Sequence, residues 1–318
     1  MAHGPDGHLG HPSEITVGVY VNDIQSIDLR THSYVIDFYV WFRWNPKDSH
    51  LDPAKTVEFM NRYDPEGHVE ETLYEEPQPQ PDGSLYQIIR HQGPFSVKFP
   101  VAAYPFDRQQ LLVHFEDSDD PSDKLIYSPD KIPIIINPDI TLPGYALGEA
   151  TLRVTQKPYH TNFGDLTENQ STPYSRVTVA IPITRPVLSG MVKTFLPILL
   201  IILCAILALL LDPTHVEARI GLSITALLTL VATQFTSASE MPEVAYLTMM
   251  DLVYIASYVL ILSVIAIVVR ASRLDDQGLI QGGKDARESL AVSGAKAAVL
   301  VTGLYGAVLV LIVLLHLI

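Results

Sequence analysis

The 318-residue sequence has a single cysteine, Cys204, so no disulfide forms within the chain, and any exported domain must rest on its own core. Cations are scarce, 21 Lys+Arg against 35 Asp+Glu, for a net charge of −14. That balance excludes the basic footprint that nucleic acid requires. It suits cationic partners, or merely keeps the surface soluble. There is no Ser/His/Asp set in interpretable context, no zinc-ligand spacing and no phosphate-cradling loop, so no enzymatic chemistry is expected. The first residues are polar and rich in Gly, Pro and His, and no signal peptide is visible. Residues 1–12 are therefore expected to be a disordered end or an appended scar, with the native precursor expected to carry an export signal.

What is present divides in two. Residues 1–187 hold 14 Lys+Arg and 26 Asp+Glu, and 188–318 hold 7 and 9. The acidic part reads as a soluble domain over 13–187, the rest as a membrane domain over 188–318. A spanning helix needs about 20 largely apolar residues. Four stretches qualify, bounded as 188–211, 217–239, 244–270 and 290–318. The first three are joined by loops too short to hold a domain. The linker 271–289 and its flanks carry Arg270, Arg273, Lys284, Arg287 and Lys296, which the positive-inside rule assigns to the cytoplasm. The N-terminal domain and the C-terminus are then extracytoplasmic, in a multi-pass membrane protein contacting lipid.

The second span is polar along one stripe. Glu217, Gly221, Thr225, Leu228, Ala232, Phe235 and Ser239 follow one another at steps of three and four, which places them on one helical face. Copies arranged around an axis would line a pore. A ring of Glu217 carboxylates would select cations, and rings of Leu228 and Phe235 would gate by dewetting. The same stripe also fits a transporter cavity or a helix seam, with Glu217 supplying only surface potential and Phe235 packing between helices.

Before the first span, alternating apolar runs at 16–21, 33–44, 85–90, 111–116, 132–136 and 176–183 are separated by turn-rich segments. This spacing predicts an immunoglobulin-like all-β sandwich of eight to ten strands. A helical turn is expected only near 53–57.

Tyr104-Pro105-Phe106-Asp107-Arg108-Gln109 resembles the signature turn of the Cys-loop receptor superfamily. Val97 and Leu111 stand where the animal receptors carry their paired cysteines, as in prokaryotic members. Further anchors follow the family order: Trp41-Phe42-Arg43-Trp44, Ser175-Arg176-Val177-Thr178-Val179 with Arg185-Pro186, Pro197, Ala218-Arg219-Ile220-Gly221-Leu222 with Leu228, and Met241-Pro242-Glu243 leading to Asp251. Phe106–Gln110 and the bulky Phe235 look most like a bacterial amine-activated channel.

The resemblance implies a homopentameric ligand-gated channel, a sandwich on four transmembrane helices, passing monovalent cations and opened by an amine-like or other small agonist between adjacent sandwiches. A non-conducting, proton-regulated or Ca²⁺-regulated receptor of the same fold is the alternative. Asp28, Phe106, Asp107, Arg185 and Pro242 are implied in coupling ligand binding to opening. Trp41, Arg43, Phe59, Tyr159, Phe163 and Tyr174 are implied as ligand wall, with cation–π capacity in the aromatics. Where amine-gated relatives carry an aromatic, the loop here is acidic: Glu116, Asp117, Asp119 and Asp120 could bind a cationic ligand or Ca²⁺ as a modulator, or form a solvated turn. No resident cofactor is expected. His32 and His215 are candidate proton sensors.

Overall fold

The structure, a computed structural model, describes residues 11–48, 51–161, 164, 173–212, 214–276 and 284–317, with 274–276, 284–291 and 317 described by backbone alone. Two compact units emerge: Met1–Phe99 with Arg108–Thr184, and Pro100–Asp107 with Arg185–Ile318. The turn 100–107, assigned to the sandwich on sequence, thus belongs with the helices.

The first unit is a two-sheet β-sandwich. One sheet has the order β4 (Val69–Thr72), β6 (Leu85–Ser96), β2 (Ser33–Trp44), β1 (Ser13–Asp28), β8 (Leu125–Ile136), with β5 (Gln78–Pro79) also on β6. The other runs β10 (Thr151–Lys157), β11 (Tyr174–Thr184), β7 (Arg108–Asp117), β3 (Val57–Phe59), with β9 (Ala146–Leu147) also on β11. A one-turn helix, α1 (Pro53–Thr56), opens with proline at its first position, where the missing N–H costs nothing. On β11 every second residue from Ser175 to Ile183 is buried, the period-two pattern of a strand with one face on a core. Between the sheets lies an aromatic seam. The ring centroids of Phe38 and Phe59 are 5.5 Å apart, those of Phe59 and Phe115 5.6 Å, and those of Phe115 and Tyr127 5.9 Å. Each such buried side chain contributes about 1.5–3 kcal/mol, and offset and edge-on pairs add to this.

Two prolines shape β8. Pro129 and Pro133 lie in a strand at the end of its sheet's order, where the lost ladder donor is tolerated. The parallel pairing with β1 steps from Val17↔Pro129 to Val19↔Ile134, so residues 130–133 leave the ladder and project Asp130 from the sheet.

The second unit holds four helices, α2 (Val187–Leu210), α3 (Val216–Ser239), α4 (Met249–Asp276) and α5 (Lys284–Leu317). Each contains a stretch long and apolar enough to cross a membrane. The chain is a multi-pass membrane protein by this measure. Both helices flanking the expected 271–289 linker extend into it, α4 to Asp276 and α5 from Lys284. A capping box starts α4: the Thr248 hydroxyl accepts from Asp251 N at 3.2 Å, and the Asp251 carboxylate accepts from Thr248 N at 2.8 Å, satisfying donors that helix geometry leaves over.

Candidate functional site

On α3 the buried positions are Arg219, Ser223, Ala226 and Leu230. All seven stripe residues, Glu217, Gly221, Thr225, Leu228, Ala232, Phe235 and Ser239, are exposed. At about 100° per residue the two sets point in roughly opposite directions. Leu228 is 64% and Phe235 73% exposed, large for apolar side chains of a helix packed on its far side.

The packed side is fixed by polar contacts. Arg219 turns away from the stripe and donates from Nε to the Ala208 carbonyl of α2 at 2.8 Å. Ser237 and Tyr254 share a hydrogen bond at 2.9 Å, and the Tyr258 hydroxyl donates to Gln234 Oε1, so α4 holds the C-terminal half of α3 at two points. Thr229, Thr233 and Thr236 donate their hydroxyls to the carbonyls four residues back at 2.8, 2.8 and 3.1 Å, which satisfies those donors within the helix. Glu217 lies in the first turn of α3, where a carboxylate is favoured by the helix dipole.

In the same unit the 100–107 turn, which contains a cis Tyr104–Pro105 bond, docks through several contacts. Phe106 stacks on Phe195 of α2 at 6.2 Å. Asp107 accepts from Arg185 Nε at 3.1 Å, and the Arg185 guanidinium lies 5.0 Å from the Tyr104 ring centre, a cation–π distance. The Ala102 carbonyl accepts from Met249 N at 2.8 Å, and Val101 N donates to the Tyr246 hydroxyl at 3.2 Å. Buried Pro242 lines a cavity of about 470 Å³ together with Tyr104, Tyr246 and Tyr254. Four of the five coupling candidates thus fall in the helical unit. Asp28 falls in the sandwich, where its carboxylate caps its own turn by accepting from Arg30 N at 2.9 Å and Thr31 N at 3.3 Å.

The ligand-wall candidates separate into groups. Trp41 and Arg43 converge on Asp130: Trp41 Nε1 donates to Oδ2 at 2.9 Å and Arg43 to Oδ1 at 2.6 Å. The indole reaches Asp130 by lying across Gly18, its partner on β1. Tyr159 and Tyr174 meet edge-on at 5.8 Å, and the Tyr159 hydroxyl donates to Glu116 at 3.0 Å while accepting from Arg176 at 2.8 Å. Phe59 is a correction. It is 4% exposed within the aromatic seam, so its ring serves the core and presents no face to a ligand. Phe163 lies outside the described residues.

The acidic cluster is a second correction. Glu116 is 3% exposed and ion-paired with Arg176. Buried Asp117 accepts from the Thr56 hydroxyl and from the backbone N–H groups of Asp119 and Asp120 at 3.0 and 2.9 Å, and burial raises its pKa. Among the described residues no three His, Cys, Asp or Glu side chains are grouped to hold a metal ion. A calcium cage needs several oxygens converging on one point, and here two of the four carboxylates are spent on other partners.

Of the proton-sensor candidates, His32 has a left-handed backbone (φ 56°) and its Nδ1 accepts from Phe99 N at 3.2 Å. Burial, then Lys98, lowers its pKa. His215 precedes α3 and is exposed. Asp130 and Arg176 were given no role on sequence, although each fixes an aromatic of the expected wall. The only signal for Asp130 was the proline pair flanking it.

No family model matches the chain. It is 20% identical over 260 residues to a proton-gated ion channel of Gloeobacter violaceus, covering 78% of this chain and 70% of that one. It is 21% identical over 257 residues to the gamma-aminobutyric acid receptor subunit gamma-4 of Gallus gallus, covering 76% of this chain and 54% of the receptor subunit. Its sandwich, its four apolar helices and the ordered anchors around Asp107 and Leu228 agree with these two likenesses, and in them the chain is similar to the Cys-loop receptor superfamily of pentameric ligand-gated ion channels.

Proposed function

We propose that the chain is one subunit of a homopentameric cation channel of a bacterial inner or plasma membrane, with its pore lined by α3. The observation that carries this reading is the exposed seven-residue face of α3, set opposite the face that packs on α2 and α4. Five copies of such a face enclose a lumen with a carboxylate ring at Glu217, a hydroxyl-lined middle at Thr225, and apolar constrictions at Leu228 and Phe235. Carboxylate rings concentrate and select cations, and apolar rings close a pore by dewetting. The sandwich lies outside the cell and the α4–α5 linker inside, as the cationic linker favours.

Small agonists act at the sandwich, with Tyr159 and Tyr174 as one wall and Trp41 and Arg43 as another. The stimulus is an amine or, as the name of the Gloeobacter relative suggests, protons. Arg185 lies in the two-residue link from β11 to α2, and in this reading its pair with Asp107 passes a movement of the strand to the helix.

The test is current across a lipid bilayer containing the purified protein, under a salt gradient, during acid steps and a panel of primary amines. Current reversing near the cation potential, with the reversal moved toward zero by Glu217→Gln, is expected. Current reversing at the anion potential would overturn the selectivity. Silence to every stimulus from verified pentamers would favour a non-conducting receptor.

A further inference from the structure

We propose that His68 and His91 form a two-imidazole relay in the sandwich, a site for one proton whose charge comes to rest beside Glu70. The inference does not depend on the channel reading.

His91 of β6 is 0% exposed. Rings surround it, Phe59 at 4.4 Å, Phe38 at 5.4 Å and Phe95 at 5.4 Å between centroids. Its two nitrogens meet polar partners on opposite sides. Nδ1 lies 3.1 Å from Glu70 Oε2, on the paired strand β4, and Nε2 lies 2.8 Å from His68 Nδ1. The charged groups facing the pair are Glu70, Arg62 and Asp64. Arg62 also reaches Glu70 Oε2, at 2.5 Å.

These contacts dictate the hydrogens. A carboxylate only accepts, so His91 Nδ1 carries a hydrogen. In neutral His91 the Nε2 is then bare and must accept from His68 Nδ1. That leaves His68 Nε2 bare as well, and this atom is buried with no hydrogen-bond partner among the described residues. A buried acceptor without a donor is costly, and buried polar atoms are rarely left so. Here it is the open end of a chain of donors that terminates on a carboxylate.

Acidification supplies the missing hydrogen. A proton from water binds His68 Nε2, and the His68 Nδ1 hydrogen passes along the 2.8 Å bond to His91 Nε2. His68 ends neutral with its hydrogen on Nε2. His91 becomes the imidazolium, against Glu70. Both hydrogen bonds survive, the inter-ring one with its direction reversed. One proton is taken up, and the positive charge rests on the ring-surrounded His91 with the Glu70 carboxylate beside it. Arg62 opposes its arrival, while Glu70 and Asp64 favour it. Burial, foremost, holds both histidines below the ordinary range, so uptake belongs to acid conditions.

Gly93 is part of the device. A Cβ there would lie 2.2 Å from His68 Nδ1, closer than atoms approach. Gly93→Ala therefore displaces the His68 ring while removing no titratable group.

The test is ¹⁵N NMR of imidazole-labelled, full-length protein in lipid vesicles, stepped from pH 7.5 to 4, with signals assigned by His68→Gln and His91→Gln. At pH 7.5 both rings should carry hydrogen on Nδ1 alone. On acidification His91 should become doubly protonated as His68 switches to Nε2–H. In Gly93→Ala the coupled switch should vanish and His68 should titrate near 6.5, as an unperturbed histidine does. With Glu70→Gln the charge should stay on His68. Nε2–H on His68 at neutral pH, or independent titration of the two rings in the unaltered protein, would overturn the relay whether or not the protein conducts.

Discussion

Asp107 and Arg185 meet at 3.1 Å with both side chains largely withdrawn from water, 2% and 19% exposed. The carboxylate closes the 100–107 turn and the guanidinium sits just before α2, under the face of Tyr104. Removing one member leaves the other charge desolvated, which costs about 3–5 kcal/mol in comparable buried pairs. Asp107→Asn and Arg185→Gln should each lower the melting temperature of the solubilised protein by several degrees. Arg185→Lys should rescue little, because a point charge replaces neither the fork nor the stacked plane. Additive losses in a double-mutant cycle would mean that the pair is not coupled.

The α3 face makes a prediction of access. In a background where the exposed Cys204 is replaced by serine, cysteines placed one at a time at 217, 221, 225, 228, 232, 235 and 239 should react with a charged, water-borne thiol reagent. Cysteines at 223, 226 and 230 should not, since those positions are buried against α2 and α4. If the lumen is gated at Leu228 and Phe235, positions below them should react from the outside at least tenfold more slowly until the channel opens. Equal reactivity of the two sets would remove the pore from α3.

How much of this could be read beforehand depends on how local the cause is. The β2 strand is written in its own residues: alternation over 33–44 predicts the limits Ser33–Trp44 that are found. The α3 stripe is equally local, because helical spacing alone sorts its polar and apolar positions. By contrast β10 has only Leu152 and Val154 as apolar members, and β4 is exposed throughout. Both are strands because a stronger neighbour, β11 or β6, supplies their partners. Side-chain pairing across long separations is the least legible. Glu116 reads as one acid among several until Arg176, 60 positions on, buries and neutralises it. Phe59 reads as a free aromatic until β3 docks on β7 and turns it inward.

Gly18 tests the placement of Trp41. A Cβ at Gly18 would fall 2.1 Å from the indole ring, so Gly18→Ala must push the ring off the strand and break its bond to Asp130. Overpacking of this kind costs about 1–3 kcal/mol. The sequence has only two tryptophans, Trp41 and Trp44, so a Trp44→Phe background isolates the signal. The expected result is a red-shifted Trp41 emission and a lower melting temperature. Asp130→Asn should weaken the indole anchor without the clash, giving a smaller shift. An unchanged emission in Gly18→Ala would show that the indole does not lie across Gly18.

The histidine pair also governs stability against pH, with a sign that can be worked out. His68 is held down to about 4 by burial, then by His91 and Arg62, and His91 is lowered as well, again by burial first. The unfolded chain binds these protons near 6.5. Above that value neither state is protonated and nothing is lost. As the pH falls from 6.5 toward 4 the unfolded state takes up protons that the folded state resists, so stability declines, and the decline becomes less steep once the folded site has taken its one proton. Allowing for solvent screening at the partly exposed His68, its share is about 1–2 kcal/mol. Melting temperatures of the full-length protein at pH 7.5, 5.5 and 4 should therefore fall less steeply in His68→Gln than in the unaltered chain, even though the variant starts lower at pH 7.5 for want of the bond to His91. Parallel curves would mean that His68 titrates in the folded protein as it does in the unfolded one.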